Sequence, residues 1–223
     1  MLVGQKNVAR GKVPIGFRSM ARSIELGRLF AEQGYELALV GGPVRDLLLH
    51  RKSHDLDFCS SARPEQFEPI LRRWGHDGFW DMGRKFGTLG AMRRRPDGTE
   101  VKVEVTTYRS DTYDTDSRKP EVNYGDTLEG DLSRRDFTVN AMALRVPDLQ
   151  FVDPFGGASD LSKGVLRTPV DPRQSFDDDP LRMMRAVRFV AQLASVSRRT
   201  RPRRLPRCAT ASTSYPPSAC ATN

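Results

Sequence analysis

The sequence predicts an α/β head followed by a C-terminal tail of different character, and three observations lead to this prediction. Short apolar runs that end at glycines or charged residues alternate with segments whose apolar residues recur at helical spacing. Hydrophobic residues make up 38% of the 223 positions, which is enough to build a core. After residue 193 the apolar pattern stops, and Arg, Ser, Thr, Ala and Pro dominate. We therefore predict a head over residues 1–150, the start of a helical element over 151–193, and a disordered tail over 194–223.

The first half of the head is predicted to alternate helices with short strands. Apolar residues at helical spacing before Gly34 predict a helix that this glycine ends. The run YELALV predicts a buried strand, because it is short and apolar and leads into Gly41-Gly42. The predicted elements of this half are helices over 17–33, 44–50 and 64–74, and strands over 35–40 and 54–58.

The second half is predicted to begin with a hairpin. Residues 87–94 and 101–108 read as its strands, because Pro96-Asp97-Gly98 between them is a strong turn signal. Residues 110–126 are polar and aperiodic, which predicts a mobile loop. The remaining predicted elements are a helical segment over 134–144, a strand over 149–152, a turn over 153–157 and a helix over 180–193.

The net charge of +8 is concentrated at the C-terminus. Residues 194–223 carry six arginines and no acid, whereas residues 1–193 hold 30 basic and 28 acidic groups. The overall charge is therefore a weak indicator of a nucleic-acid partner. The tail also lacks Ile, Phe and Met, so we expect it to bury too little apolar surface to order itself.

Composition also predicts the compartment. No run approaches the roughly 18 to 20 consecutive apolar residues that a membrane helix needs, and the N-terminus lacks the apolar segment of a signal peptide. Cys59, Cys208 and Cys220 share no metal-binding spacing and do not suggest a disulfide framework. These features predict a cytoplasmic protein that has no membrane partner.

The motif Asp55-Leu56-Asp57 is the sharpest chemical signal in the chain. Side chains two residues apart in a strand point to the same face, so both carboxylates converge on one place. A divalent metal relieves their repulsion most simply, and oxygen-only ligands favour Mg²⁺ or Mn²⁺. Because an isolated motif of this kind is more often a pair of solvated acids, the neighbouring sequence has to decide.

The sequence just upstream has the features of a phosphate site. Gly42 follows a buried strand and allows the backbone to approach a phosphate closely, and the following helix offers unpaired N–H groups. Arg45 adds a guanidinium fork that suits phosphate oxygens. A phosphate seat beside a metal-binding pair is the arrangement that phosphoryl and nucleotidyl transfer require.

Two further candidates remain open from sequence alone. Glu104 is placed to be a third carboxylate, but its alternation with three valines fits an outward-facing acid at least as well, so we leave it unassigned. In the run Arg134-Arg135-Asp136, either one arginine contacts a nucleotide or the segment is an ordinary solvated turn.

The last predicted helix carries Arg182, Arg185 and Arg188 at every third position, a spacing that drifts by only about 60° per step. Because the residues between them are mostly apolar, we expect a largely buried helix whose arginines face an anion or a polar pocket. The alternative is a solvent-facing basic stripe. Asp179 either serves as a helix-start carboxylate or reads a base edge together with Arg182.

Taken in order, these motifs resemble those of the class II tRNA nucleotidyltransferases (CCA-adding enzymes), a family shared with bacterial poly(A) polymerases. The resemblance covers residues 20–193 and lies in LVGGPVRDLLL, HDLDF, RRDFTVNAMAL, DPFGG and DDPLRMMRAVRF. It implies a polymerase-β-like nucleotidyltransferase head, with a mixed sheet and flanking helices, followed by the start of an α-helical neck.

The resemblance also implies a role for each candidate residue. Asp55 and Asp57 are implied to be catalytic ligands of Mg²⁺, with two ions expected. The implied nucleotide contacts are Gly42 and Arg45 to the triphosphate, and Arg135 elsewhere on the nucleotide. Asp179 and Arg182 are implied to form the template that pairs with C or A, and Arg185 and Arg188 to support the same pocket. The implied partners are CTP and ATP as substrates and the tRNA 3′ end as acceptor.

The implied activity is transfer of CMP and AMP from CTP and ATP to the tRNA 3′ end, with release of pyrophosphate. Two features depart from the family: Asp178 stands where its template motif usually has Glu, and the tail stands where its tRNA-holding domains begin. We therefore expect a C-terminally truncated, impaired enzyme. The alternatives are a poly(A) polymerase of the same family and a fragment that binds nucleotide or RNA without turnover.

Overall fold

The computed structural model describes residues 17–51, 53, 55–110, 123–124, 127–200 and 207–208, with side chains described between 20 and 109 and between 127 and 191. Its strands are β1 (Leu37–Val40), β2 (Asp55–Ser60), β3 (Gly78–Trp80), β4 (Thr88–Arg94), β5 (Glu100–Thr107), β6 (Arg109–Ser110), β7 (Asn123–Tyr124), β8 (Ala143–Val146), β9 (Gln150–Val152), β10 (Val165–Leu166) and β11 (Arg207–Cys208). Seven of them form the central sheet, in the order β3-β4-β5-β2-β1-β8-β9.

The central sheet is mixed, which confirms the predicted fold class. β2 and β5 are parallel, and every other neighbouring pair in the sheet is antiparallel. The helices are α1 (Phe17–Ala31), α2 (Gly42–Leu48), α3 (Pro64–Trp74), α4 (Leu128–Ser133), α5 (Gly157–Lys163), α6 (Pro172–Asp178) and α7 (Leu181–Thr200). Two 3-10 turns lie at Arg84–Phe86 and Thr138–Asn140.

The strand β1 lies between two hydrophobic cores. Leu37 and Leu39 pack into the larger core, which α1 and α3 cover, whereas Ala38 and Val40 face a smaller core that includes residues of α4. A strand covered on both faces has no solvent side, and this explains why the run LALV is apolar without interruption. The strand ends at Val40, and the chain turns at Gly41 into α2.

Most predicted elements of the head are confirmed. The hairpin is present as β4 and β5, and Gly98 in its turn has φ +80, a backbone angle that glycine tolerates. The short edge strand β3 was not predicted, since its three residues give too little pattern. Within the predicted loop 110–126, Ser110 pairs with Asn123, while residues 111–122 and 125–126 lie outside the described part.

The predicted helical segment over 134–144 is wrong. The chain forms a 3-10 turn at Thr138–Asn140 and then enters β8, which pairs with both β1 and β9. Leu144, for example, lies opposite Leu39 of β1 and opposite Phe151 of β9. Sheet pairing with two neighbours therefore overrides the local helical preference of the run NAMAL.

The C-terminal helix is longer than predicted. α7 continues to Thr200, beyond the predicted boundary at 193, and β11 pairs with β10. Residues 201–206 and 209–223 lie outside the described residues, so the predicted disorder of the tail remains a prediction. In the part of the chain that the structure describes, no helix has the length and apolar composition needed to cross a bilayer.

Candidate active site

A cleft of about 480 Å³ opens between the sheet and the start of α7. It gathers candidate residues from four separate sequence motifs. Those that line it are Gly42, Arg45, Asp57, Arg135, Asp179, Arg182 and Arg185. Two others, Asp55 and Arg188, are exposed and lie outside the lining. Four of the five motifs that resembled a known family in sequence therefore meet at one place in the fold.

Carboxylates from neighbouring parallel strands form one wall of the cleft. The register places Asp57 of β2 directly opposite Glu104 of β5, and both residues line the cleft. Loss of solvation raises the pKa of Asp57, and the charges of Glu104 and Asp55 raise it further, while the charge of Arg135 opposes them. The side chain of Glu104, left open by the sequence, thus belongs to the same acidic wall.

The acidic wall has the chemistry of a divalent-cation site. Its donors are carboxylate oxygens only, and burial followed by the neighbouring carboxylates raises the pKa of Asp57, so a bound cation would favour the ionised form. Within the described residues, no group of three or more His, Cys, Asp and Glu side chains is arranged to hold a metal. Carboxylate oxygens alone suit an ion that takes the rest of its ligands from water and substrate, as Mg²⁺ commonly does.

The turn between β1 and α2 allows a ligand to approach the backbone. Gly41 has φ +72, and a Cβ atom at this residue would lie 3.0 Å from a guanidinium nitrogen of Arg135. A larger residue would be strained by its backbone and crowded by the arginine. Gly42 follows as the first residue of α2 and lines the cleft.

Arg45 is held in place by three parts of the fold. Its NH1 donates to Oδ1 of Asn140 at 2.7 Å, and its Nε and NH2 donate to Oδ1 of Asp46 at 3.1 and 2.9 Å. The guanidinium carbon also lies 5.4 Å from the ring centroid of Phe189 on α7. Arg45 therefore enters the cleft as a fixed cation and not as a free side chain.

Asp131, which the sequence did not single out, anchors the two arginines of the RRD segment. The side chain is 2% exposed, and its two carboxylate oxygens pair with Arg135 at 3.0 Å and with Arg134 at 3.4 Å. Burial alone would raise the pKa of Asp131, but the charges of these arginines outweigh it and lower the pKa. The spacing of four residues between Asp131 and Arg135 was the available sequence signal.

Asp136 connects the RRD segment to α7. Its Oδ2 forms an ion pair with Arg185 at 2.8 Å, and its Oδ1 accepts a hydrogen bond of 3.0 Å from Asn140. Asp136 is 7% exposed, whereas the side chain of Arg185 is 56% exposed at the mouth of the cleft. The pair fixes the first part of α7 against the head.

Asp179 and Arg182 lie together at the start of α7. Oδ1 of Asp179 accepts a hydrogen bond of 3.0 Å from the backbone N–H of Leu181, and Oδ2 lies 3.9 Å from Nε of Arg182. Arg182 donates at 2.6 Å both to Oγ of Ser175 and to the carbonyl oxygen of Arg134. Asp179 thus acts at the helix start and still presents a carboxylate oxygen to the cleft.

The prediction that α7 is largely buried is wrong. Leu181, Met184 and Val187 are 68%, 71% and 69% exposed, while Arg182 is only 9% exposed. Each third residue is displaced around the helix, so the arginine row turns progressively away from the cleft. Arg182 points inward, Arg185 lies at the rim, and Arg188 is exposed outside the lining.

Comparison with known proteins identifies the family. The family described as the Poly A polymerase head domain matches residues 37–167, more than half of the chain. The chain belongs to this family. Because the match spans β1 to β10, the sheet and most of the cleft described above lie within the family's shared head domain.

Relatives of the head-domain family include CCA-adding enzymes. The chain is 41% identical to the CCA-adding enzyme of Lactobacillus helveticus over 73% of its own length and 38% of that enzyme's length. It is 38% identical to the CCA-adding enzyme of Bacillus subtilis over 77% of its own length and 41% of that enzyme's length. The chain therefore spans about two fifths of these relatives, and the predicted family resemblance is confirmed.

Solved structures show the same relationship. The Bacillus stearothermophilus CCA-adding enzyme in complex with CTP is 35% identical, with a TM-score of 0.65 over 78% of this chain and 39% of that one. The Thermotoga maritima CCA-adding enzyme complexed with tRNA is 28% identical, with a TM-score of 0.62 over 83% of this chain and 43% of that one. Both likenesses confirm the predicted nucleotidyltransferase head fold.

Proposed function

We propose that this chain carries the catalytic head of a CCA-adding tRNA nucleotidyltransferase. The observation that carries the proposal is the composition of one cleft, which is lined both by Asp57 and by the pair Asp179 and Arg182. Asp57 supplies a metal-binding acid beside a cationic phosphate seat, and the pair Asp179 and Arg182 supplies a means of selecting a base. A site that only bound and transferred phosphate would not require Asp179 and Arg182.

The proposed reaction is a displacement at the α-phosphorus of CTP or ATP. The 3′-hydroxyl oxygen of the acceptor forms the new P–O bond, the bond to the bridging oxygen of the β-phosphate breaks, and pyrophosphate leaves with that electron pair. The hydroxyl proton passes to water. Arg135 and Arg45 place positive charge beside the triphosphate, and Gly42 leaves the backbone accessible to its oxygens.

Mg²⁺ is the proposed metal, with Asp55 and Asp57 as its protein ligands and Glu104 completing the acidic wall. When bound, the metal supplies positive charge at the reacting phosphate and lowers the pKa of a coordinated hydroxyl. The family resemblance predicts two ions. The protein's own contribution is to hold the carboxylates on one face of two paired strands, so that they need not be reorganised when substrate arrives.

Asp179 and Arg182 are proposed to select C and A by hydrogen-bond pattern. Both bases present an amine donor, N4 of cytosine or N6 of adenine, next to a ring acceptor, N3 or N1 respectively. An acceptor carboxylate beside a donor guanidinium matches this pair of groups. Uracil and guanine present the reverse pattern, a carbonyl beside a ring N–H, and would leave both protein groups without partners. Arg185 and Arg188 are proposed to support the same pocket.

The proposed acceptor is the 3′ end of tRNA. Two of the chain's structural relatives were solved with CTP and with tRNA, which supports these substrates. The two bases that match Asp179 and Arg182, C and A, are the two bases of a CCA sequence. A poly(A) polymerase is the alternative within the family, and the use of CTP separates the two activities.

The proposal is tested with tRNA that ends at its discriminator base, incubated with the chain, Mg²⁺ and labelled CTP or ATP. We expect addition of C first and then A. Asp57→Asn should abolish addition, while Asp148→Asn, an exposed acid in the β8–β9 turn, should leave it unchanged. Addition of A alone would support the poly(A) polymerase. If the parent protein bound nucleotide but transferred none, the result would support the alternative of a fragment that binds nucleotide or RNA without turnover.

A further inference from the structure

One row of residues crosses the sheet from the acidic wall to the outer edge. Trp80 of β3 lies opposite Gly90 of β4, Gly90 lies opposite Glu104 of β5, and Glu104 lies opposite Asp57 of β2. Directly opposed residues in neighbouring strands project from the same face of a sheet. Trp80 is therefore on the face that carries the proposed catalytic acids, although it does not line the cleft.

The indole of Trp80 covers the position above Gly90 that a side chain would occupy. A Cβ atom at Gly90 would be 2.0 Å from Cε2 and 2.2 Å from Nε1 of the indole, so no larger residue fits beneath the ring. Nε1 donates a 3.4 Å hydrogen bond to Oε1 of Glu104. The sheet thus covers one side of the ring, and Trp80 as a whole remains partly exposed. This fixes an aromatic surface next to the acidic wall.

The connection that follows β3 adds a second exposed ring and nearby cations. Phe86 is 44% exposed, and Nζ of Lys85 lies 4.8 Å from its ring centroid. Arg109, which lines the cleft, donates a hydrogen bond to the carbonyl oxygen of Phe86. Exposed aromatic rings with interspersed cations are the usual surface for single-stranded nucleic acid, because bases stack on the rings and phosphates meet the cations.

The direction of the reaction places the acceptor on this side of the acidic wall. In the displacement, the attacking oxygen and the leaving pyrophosphate lie on opposite sides of the α-phosphorus. The proposed triphosphate and base contacts, among them Arg45 and Arg182, lie on the α2 and α7 side of Asp57. On the other side of Asp57, away from β1 and α2, the same sheet face carries Glu104 of β5 and then Trp80 of β3.

We propose that Trp80 is a stacking platform for a base of the single-stranded 3′ end of the RNA acceptor. This inference rests on the proposed function, since it assumes that the acidic wall marks the reacting phosphate. It assigns an acceptor subsite to the sheet edge, separate from the subsite for the incoming nucleotide. The base stacks on the open face of the indole, and the flanking phosphates lie towards Lys85 and Arg109.

The test uses the fluorescence of the 223-residue chain and a cytidine pentanucleotide. Trp74 and Trp80 are the only tryptophans, and Trp74 is 2% exposed in the core, so a base stacked on Trp80 should quench the accessible part of the emission. Binding is followed independently by the anisotropy of a labelled pentanucleotide. Saturating binding without any change in tryptophan emission would overturn the proposal.

Variants of β3 separate stacking from a purely structural role. We expect Trp80→Leu to weaken pentanucleotide binding about 5- to 150-fold and Trp80→Phe to weaken it less. Phe79→Leu, a neighbour whose side chain leaves the opposite face, should bind as the parent does. Parental affinity in Trp80→Leu would overturn the proposal. If circular dichroism shows that Trp80→Leu does not fold, the comparison of pentanucleotide affinity between the parent and Trp80→Phe tests the proposal instead.

Titration with CTP distinguishes this inference from the proposed function. All the β3 variants should bind CTP as the parent does, because Trp80 lies outside the cleft. Failure of the parent to bind CTP, with quenching by the pentanucleotide intact, would remove the proposed function and leave an RNA-stacking site. Normal CTP binding, with no pentanucleotide binding, would overturn only the stacking site.

Discussion

The guanidinium of Arg45 donates a 2.7 Å hydrogen bond to Oδ1 of Asn140, across 95 positions of sequence. Nδ2 of Asn140 in turn donates to Asp136 at 3.0 Å, and Asp136 pairs with Arg185 of α7 at 2.8 Å. A continuous polar chain therefore joins the proposed phosphate seat on α2 to the proposed base-selecting helix. The two halves of the cleft are positioned by the same few contacts.

Asn140→Ala should disconnect the phosphate seat from α7. Removal of the amide takes away one hydrogen-bond partner from NH1 of Arg45 and one from Oδ1 of Asp136. Leaving a buried polar group without a partner costs about 1–3 kcal/mol of free energy. We expect kcat/KM for CTP and for ATP to fall by about 10- to 100-fold, measured by steady-state nucleotide addition. An equal loss for both nucleotides is expected, because the amide contacts neither base. A parental kcat/KM would show that the polar chain is not required.

Asp57→Asn should stabilise the metal-free protein while abolishing transfer. The pKa of Asp57 is raised, first by burial and then by the charges of Glu104 and Asp55, so a neutral amide avoids both the loss of solvation and the repulsion of the ionised form. We expect a higher Tm than the parent without Mg²⁺ and a loss of activity of about 100-fold or more. Added Mg²⁺ should raise the Tm of the parent but not that of the variant. Equal Mg²⁺ responses would contradict the metal assignment.

Ser175→Ala should reduce base discrimination more than nucleotide affinity. The Ser175 hydroxyl accepts a 2.6 Å hydrogen bond from NH1 of Arg182, and its loss frees the guanidinium that is proposed to read the base. We expect misincorporation of UMP and GMP to rise about 5-fold, corresponding to one hydrogen bond of about 1 kcal/mol. The readout is the ratio of kcat/KM values for the four nucleotides. Ser162→Ala on the exposed side of α5 is the matched control, and the two variants behaving alike would rule out the positioning role.

Asp131→Asn should destabilise the protein and change its response to acid. Since the pKa of Asp131 is lowered in the fold, this group contributes stability above its unfolded pKa of about 3.9, and the contribution is lost as pH falls through the lower folded pKa. The variant should be less stable than the parent at pH 7 by about 3 kcal/mol, because Arg135 loses its buried partner. The difference should narrow below about pH 4, measured by urea unfolding. If the difference in free energy of unfolding between parent and variant stayed constant across this pH range, the lost stability would come from packing and not from the charge of Asp131.

The local part of the fold and site was predictable, and the long-range part was not. Alternation along one strand was enough to predict that Asp55 and Asp57 share a face, since no other element is involved. The contribution of Glu104 depends on the parallel register of β2 with β5, which joins residues 47 positions apart and leaves no trace in local pattern. The two readings of this residue could only be separated in the folded chain.

The errors have a common physical cause. The segment that forms β8 has local helical preference, but its two neighbouring strands provide pairing that a helix would forgo. For α7, Leu181, Met184 and Val187 are exposed, whereas Phe189 is buried. The inward side is set by Arg185, which pairs with Asp136 of the head, and by Arg182, which donates to Ser175 of α6. Periodicity showed how the arginines recur along that helix, but which residues face inward depends on the partner.

The central claim is that the cleft binds a nucleoside triphosphate and reads its base through Asp179 and Arg182. It is tested most directly by isothermal titration of the chain with CTP, ATP, UTP and GTP in the presence of Mg²⁺. We expect CTP and ATP to bind with similar Kd and UTP and GTP to bind at least about 10-fold more weakly, a difference that Arg182→Ala removes. Equal affinity for all four nucleotides, or unchanged discrimination in Arg182→Ala, would contradict the claim.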